Sequence, residues 1–297
     1  MRLAFFSDIH ANLPALDAVL SDIAIQGVDK RFALGDLVGY APWPNEVLEL
    51  LQAERIPALL GNYDEGTGFD LAECGCAYTE HAEEALGDAS FAWTKAHVTE
   101  ANKAWLRSLP REIRFDADGV RFLLVHGSPR RINEYLYEDK PDATFARIAE
   151  GANADIIVCG HTHRPYDKRV GDVRFINDGS GGKPKDGDWR AAWALLDTAT
   201  GDLRIRRVEY DVERAVAGIL ASDLPPVFAA QLREARGYRP SDATGWLMAP
   251  ISLPMIGAVL ALAVVFLLGA DLLKVGLIRL TARSSVSAGL SPPASAA

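Results

Sequence analysis

Five short apolar runs in this chain each end in a residue able to hold a metal ion. Residues 3–6 lead into Ser7-Asp8-Ile9-His10, and residues 32–34 into Gly35-Asp36. Residues 58–60 end in Gly61-Asn62, 122–125 in His126-Gly127, and 156–159 in Gly160-His161-Thr162-His163. Runs of this length beside glycine read as buried strands. In α/β sheets a site forms beyond the carboxyl ends of the strands. The pattern constrains the chain to a sheet fold, and the question it poses is whether these five ends meet.

The intervening segments agree. Residues 11–25 place Leu13, Leu16, Val19, Leu20 and Ile23 at helical spacing, with Pro14 near the start and Gly27 as the stop. Pro44-Asn45-Glu46 opens a second helix with Val47, Leu48, Leu50 and Leu51 inward, and residues 57–60 read as a third strand. This β-α-β-α-β alternation predicts an α/β domain. From 66 to 110 the alternation lapses into a helical insert, with helices expected at 78–86, 91–96 and 99–109. Strands return at 112–115, 121–125, 156–159, 173–177, 191–196 and 203–210. Helices over 211–220 and 227–236 close the domain, parted by Pro225-Pro226. The catalytic domain is thus expected over 1–236, with a linker over 237–245.

Residues 244–270 carry no charge and are rich in Leu, Val, Ile and Ala. That exceeds the roughly 20 residues that cross a bilayer, so 246–270 reads as a transmembrane helix, with a buried C-terminal helix as the alternative. Trp246 suits an interfacial anchor, and Lys274, Arg279 and Arg283 follow on the other side. Residues 271–283 read as an amphipathic segment and the Ser/Pro/Ala-rich remainder as a disordered tail. The chain enters its first strand directly after Met1-Arg2, which argues against a cleaved leader. The expectation is a cytoplasmic catalytic domain anchored to the inner membrane. Cys74, Cys76 and Cys159 form no disulfide framework, and Cys74-Gly75-Cys76 reads as two free thiols in a loop. A net charge of -9 argues against general nucleic-acid binding.

The strand ends collect Asp8, His10, Asp36, Asn62, His126, His161 and His163. Carboxylates, imidazoles and an amide without a thiol suit Mn, Fe or Zn. Seven ligands exceed what one ion uses, and a central carboxylate, Asp36, is the natural bridge between two. Two ions about 3.5–4 Å apart activate water and clamp the oxygens of a displacement at phosphorus. Four of the chain's six histidines belong to this set.

Asp8-Ile9-His10, Gly35-Asp36, Gly61-Asn62, His126-Gly127 and Gly160-His161-Thr162-His163, in this order, resemble the five motifs of the calcineurin-like metallophosphoesterases. The likeness covers about residues 1–236. The flanking residues 7–16, 35–46, 126–130 and 183–190 resemble its small bacterial branch of YfcE-like phosphodiesterases or phosphatases. The resemblance implies a four-layer α/β/β/α sandwich. It also implies that Asp8, His10, Asp36 and His163 hold one ion and Asp36, Asn62, His126 and His161 the other. A metal-bridging hydroxide is then the nucleophile, and the substrate is a small phosphomonoester or phosphodiester. Two divalent ions are implied, manganese favoured.

The chain departs from the family at Tyr63, where many relatives place a histidine that protonates the leaving group. A phenol, with an ordinary pKa near 10, is a poorer acid at neutral pH. Asp64 is expected to orient a ligand from behind, and Asn12, Arg130 and Lys183 to reach a substrate phosphate or solvent. The glycine-rich residues 179–182 read as a turn, with phosphate contact as the alternative. His81 and His97, in the helical insert, are expected to face solvent. Two competing functions stand beside hydrolysis: a scaffold that keeps the fold with little turnover, and a nuclease.

Overall fold

The computed structural model describes residues 1–78, 80–247 and Lys274. The chain begins β1 (Arg2–Phe6), α1 (Leu13–Gln26), β2 (Lys30–Ala33) and α2 (Pro44–Ala53). Three helices follow, α3 (Asn62–Gly68), α4 (His81–His97) and α5 (Glu100–Ser108). Next come β3 (Glu112–Ala117), β4 (Val120–Val125), α6 (Asp142–Ala152), β5 (Ile156–Cys159), β6 (Tyr166–Val170) and β7 (Val173–Asn177). The described chain ends with β8 (Ala191–Asp197), β9 (Asp202–Val208), α7 (Val212–Ala221), α8 (Val227–Arg233) and α9 (Pro240–Leu247).

Two sheets form, one ordered β2-β1-β8-β9 and the other β3-β4-β5-β7-β6. Strands β1 and β2 run parallel, as do β4, β5 and β7, so their carboxyl ends lie at one edge of each sheet. Alternation along each strand decides which layer a side chain joins. Leu3 and Phe5 of β1 meet Phe122 and Leu124 of β4 and Ile176 of β7 in the core between the sheets. Their neighbours Ala4 and Phe6 turn the other way, packing with Leu16 and Val19 of α1 and Val216 of α7. On the far side, Leu123 and Val125 pack with Phe145 and Ile148 of α6. The result is the α/β/β/α layering. Fully burying one such side chain contributes about 1.5–3 kcal/mol.

Helix α1 starts where Asn12 accepts the Ala15 N–H at 3.3 Å and ends at Gly27, whose φ of 61° suits a residue without Cβ. The strand expected over 57–60 shrinks to a single bridge between Ala33 and Ala58, because Pro57 has no N–H to continue a ladder. The insert also differs from expectation. Asn62 opens a helix at once, and the two segments expected over 78–86 and 91–96 are one helix, α4. Gly87 does not break it, since the Tyr78 ring fills the space a side chain would need. Helix α6 and strand β6 carry no strong sequence signal and appear only here.

The expected linker is partly helical and tied down. Asp242 is buried and accepts from Arg236 at 2.8 Å and from Gln231 at 2.9 Å. The compact unit correspondingly runs from Met1 to Trp246. The expected transmembrane helix (246–270), amphipathic segment and tail lie outside the described residues, save their first two positions and Lys274. Among the described residues no helix is long and apolar enough to cross a membrane. Cys74 and Cys76 are joined as a disulfide, correcting the expectation of free thiols, because the turn at Gly75 brings their Cα atoms to 5.4 Å. Cys159 is free and buried.

Candidate metal centre

The loops after the strands are laced to one another by main-chain hydrogen bonds. Asp8 N–H donates to Gly35 at 3.0 Å, His10 N–H to Asp36 at 3.0 Å, and Gly160 N–H to His126 at 2.9 Å. Gly181 and Gly182 donate to the carbonyls of Ser7 and Asp8 at 2.8 and 3.1 Å. The glycine-rich stretch therefore braces the first loop. Gly35 and Gly61 let two loops touch: a Cβ on Gly35 would lie 2.6 Å from the Gly61 nitrogen.

Five of the seven candidate ligands adopt left-handed backbone. Asp8, His10, Asp36, His161 and His163 have φ between 48° and 64°. Each such residue costs on the order of 1 kcal/mol, and such strain collects at functional sites. It turns the chain sharply at each strand end and aims all five side chains into one buried cluster.

The cluster has two groups. Asp8, His10 and His163 place one donor atom each within 4.8 Å of the others, as do Asp36, His126 and His161. His163 Nε2 lies 3.3 Å from Asp8 Oδ1 and 3.3 Å from His10 Nε2. His126 Nε2 lies 3.2 Å from His161 Nδ1 and 3.2 Å from Asn62 Oδ1. Asp36 spans the groups, with Oδ1 3.4 Å from His126 Nε2 and Oδ2 3.7 Å from His10 Nε2.

Backbone carbonyls set the rings. The Nδ1–H groups of His10, His126 and His163 donate to Val38, Leu34 and Lys183 at 3.0, 2.8 and 2.5 Å, turning each Nε2 toward the cluster. His161 is reversed and presents Nδ1. Asn62 Nδ2 donates to the Cys74 carbonyl at 2.9 Å and approaches Cys76 Sγ at 3.4 Å, turning Oδ1 inward.

These residues fit metal ions. Ligands about 2.0–2.2 Å from an ion in tetrahedral or octahedral geometry stand about 2.8–3.6 Å apart; the closest pairs of each group match this, at 3.2 and 3.3 Å, while His10 Nε2 and Asp8 Oδ1 stand wider at 3.9 Å. Asp8 Oδ1, which faces His163 Nε2 in the first group, is buried without a hydrogen-bond partner. The electrostatics agree. Burial raises Asp8 to about 7, with the Asp36 charge adding to it against His126. Burial also opposes charge on His126 and Asp36, but their mutual attraction prevails. It lifts His126 to about 10 and holds Asp36 well below the usual carboxylate range. Burial lowers His10 and His161 to about 3.

The remaining expected residues lie as follows. Asp64 is fully buried, accepting from Leu37 and Val38 with Oδ1 at 2.9 and 3.3 Å and from Gly61 with Oδ2 at 2.9 Å. It joins the Asp36 and Asn62 loops. The Tyr63 hydroxyl donates to the Gly87 carbonyl at 3.3 Å, and its ring stands edge-on to His10 at 5.6 Å. Asn12 and Arg130, expected at a substrate phosphate or in solvent, have protein partners here. Asn12 spends its side chain on capping α1 and on the Gly182 carbonyl at 2.8 Å. Arg130 is held by Glu134, with Nε 3.1 Å away, and does not line the cavity above the cluster. His81 and His97 are exposed, as expected.

That cavity, about 70 Å³, is bounded by His10, Asp36, Asn62, His161 and His163 below and by Tyr40, Tyr78, Tyr135 and Tyr238 around. Tyr135 tilts over His161 with ring centroids 4.0 Å apart. Lys183 and Lys185 complete the wall. Sequence reasoning missed the tyrosines and Lys185. The only local signal was their nearness to ligand motifs, as in Gly39-Tyr40 and Lys183-Pro184-Lys185.

Residues 1–201 match the model of the calcineurin-like phosphoesterase superfamily domain. The chain belongs to this superfamily. Among curated relatives of the phosphoesterase, an uncharacterized protein of Methanocaldococcus jannaschii is 34% identical over 240 residues, 75% of this chain and 93% of its own. Phosphodiesterase YfcE of Escherichia coli is 28% identical over 209 residues, 66% of this chain and 88% of its own. Among solved structures, a metallophosphoesterase from Sphaerobacter thermophilus superposes with a TM-score of 0.65 at 30% identity. That match covers 79% of this chain and 99% of that one. A hypothetical protein from Pyrococcus horikoshii gives 0.69 at 22% identity over 80% and 99%, which speaks to the fold alone.

Proposed function

We propose that this phosphoesterase hydrolyses phosphomonoesters or phosphodiesters with two divalent metal ions. The carrying observation is the pair of buried donor groups that share an edge at Asp36, whose two oxygens face His126 and His10 separately. Asp8, His10, Asp36 and His163 would hold one ion, and Asp36, Asn62, His126 and His161 the other. Ions bound there lower the pKa of a water and withdraw charge from phosphoryl oxygens. The oxygen-and-nitrogen donor set suits Mn, Fe or Zn, and the family resemblance favours manganese. Phosphodiesterase activity of the Escherichia coli relative supports the reaction class.

The chain supplies rigidity, exclusion of water and charge. Backbone carbonyls orient three imidazoles, and Asp64 locks two ligand loops through three N–H groups. Tyr63 acts as a wall. Burial pushes its phenol further above its ordinary pKa, and its proton is directed at Gly87, so leaving groups that need no strong acid are favoured.

The test is metal analysis with turnover of bis(p-nitrophenyl) phosphate and p-nitrophenyl phosphate. The native protein is expected to carry close to two ions and to cleave at least one ester. Asp36→Asn is expected to lose at least about 10³-fold in kcat and to weaken both ions, because one charge serves two sites. Metal-free protein that stays inert with added Mn²⁺ would overturn the reading. One ion retained by Asp36→Asn at unchanged affinity would overturn the bridging role.

A further inference from the structure

A buried acid stands behind the first donor group without belonging to it. Asp178, one residue past β7, is fully buried. Its Oδ1 lies 2.6 Å from the Ser7 hydroxyl, and its Oδ2 has no hydrogen-bond partner. No basic side chain forms an ion pair with it among the described residues. A carboxylate so placed would be a buried charge served by one side-chain donor, a costly arrangement that a proton relieves. Burial pushes the group well above the usual carboxylate range, against the Ser7 hydrogen bond.

Ser7 meets a second acid, for its Oγ also lies 2.5 Å from Asp8 Oδ2. A hydroxyl has one proton and donates to only one of the two carboxyls, so the other contact needs a proton from an acid. Asp8 Oδ2 accepts the His161 N–H at 2.9 Å and can accept from Ser7 as well, whatever charge Asp8 carries. Asp178, with an idle oxygen and no cation, supplies the other proton. The packing is shaped for this contact. A Cβ on Gly160 would collide with Ser7 Oγ, so glycine there leaves the hydroxyl its place. The neighbours of Asp178 hold the same loops. Asn177 Nδ2 donates to the Gly160 carbonyl and Ser180 Oγ to the Asp8 carbonyl, both at 2.7 Å.

We propose that Asp178 is a positioning residue, a neutral acid that donates to Ser7 Oγ so that the Ser7 hydroxyl donates to Asp8 Oδ2. Oδ2 is thereby occupied, and Asp8 offers Oδ1, 3.3 Å from His163 Nε2, to the ion of the first group. This rests on the metal-dependent reading above and names what aims one of its ligands. Partners that orient a ligand from behind are worth about 10–100-fold in metal affinity.

Two measurements test it. The first is the infrared spectrum of the metal-free full chain at neutral pH. A protonated-carboxyl C=O band is expected in the native protein, lost in Asp178→Asn and moved to higher frequency in Ser7→Ala, where the acid has lost its acceptor. Native and Asp178→Asn spectra without that difference would show an ionised Asp178 and overturn the proposal. The second is two-site Mn²⁺ calorimetry. Asp178→Ala and Ser7→Ala are each expected to weaken one ion about tenfold or more and leave the other within about threefold. The double variant is expected to lose no more than about twofold beyond either single one, since both cut the same chain. Asp178→Asn, whose amide N–H replaces the acid O–H, is expected to stay within about threefold of native. Native affinity in Asp178→Ala, equal weakening of both ions, or Asp178→Asn as weak as Asp178→Ala would each overturn the positioning role. Thermal melts check folding, and Ser7→Ala with Asp178→Asn carries the test if Asp178→Ala unfolds. A native protein that binds no Mn²⁺ sinks the phosphoesterase reading, while the infrared band still decides the proton on Asp178. Two ions bound alike by native protein and Asp178→Ala sink only the positioning role.

Discussion

His126 Nε2 and Asp36 Oδ1 lie 3.4 Å apart at the buried centre of the site, while His126 Nδ1–H is committed to the Leu34 carbonyl. A lone pair and a carboxylate oxygen at that distance need a cation between them. A proton and a metal ion are the two candidates, and they compete.

Metal affinity is therefore expected to rise with pH. Against burial, Asp36 lifts His126 to about 10, so at neutral pH the metal-free ring is protonated, and Asp8, lifted by burial to about 7, is half protonated. Binding must release the His126 proton across this range, and the Asp8 proton below about pH 7. Mn²⁺ affinity is expected to increase about tenfold per pH unit for each proton released between pH 6 and 8. Titrations at pH 6, 7 and 8 check this, and a flat profile would exclude protonated ligands.

Asp64→Ala strips three buried backbone N–H groups of their acceptor. The expected loss is about 2–4 kcal/mol of stability, seen as a lower Tm, with metal affinity about 10–100-fold weaker. Asp64→Asn keeps one acceptor oxygen and should fall between. Calorimetric melting with and without Mn²⁺ separates the two effects.

Tyr63→Phe removes only the hydroxyl on Gly87. Stability is expected to fall by about 1 kcal/mol and kcat to stay within about threefold. A loss of 10²-fold or more, on esters with poor leaving groups alone, would instead identify the phenol as the proton donor.

The compact unit ends at Trp246, so a fragment of residues 1–246 is expected to fold, stay soluble and bind metal. Cutting after Arg236 removes Asp242 and leaves the Arg236 guanidinium, 13% exposed, without its buried partner. That shorter fragment is expected to melt several degrees lower, from a loss of about 1–3 kcal/mol. Aggregation of residues 1–246 would show that later residues belong to the fold.

The candidate ligand set was legible because its signal is local: an apolar run that ends in Asp, Asn or His, with glycine beside four of the five ends. The first helix was equally legible from Asn12, Pro14 and Gly27. Helix α4 was misread at Gly87, whose tolerance depends on Tyr78 packing across it. The bond between Cys74 and Cys76 depends on a turn geometry that composition does not show. Asn12 and Arg130 looked available for phosphate because sequence displays a residue's chemistry and hides its partners. Gly182 and Glu134 had already claimed them.

The sequence alone determined which atoms reach the site, since strand ends and their terminal residues follow from short-range pattern. It also determined that the candidate donors are oxygen and nitrogen atoms. The family resemblance implied a division into two groups around Asp36; only the tertiary structure gave their distances, and showed that Asp64 clamps loops. It alone placed Lys183 and Lys185 beside His163 across twenty residues of chain. Those outcomes depend on long-range contacts between loops from two sheets, and distances between such loops are not written in any one stretch of residues.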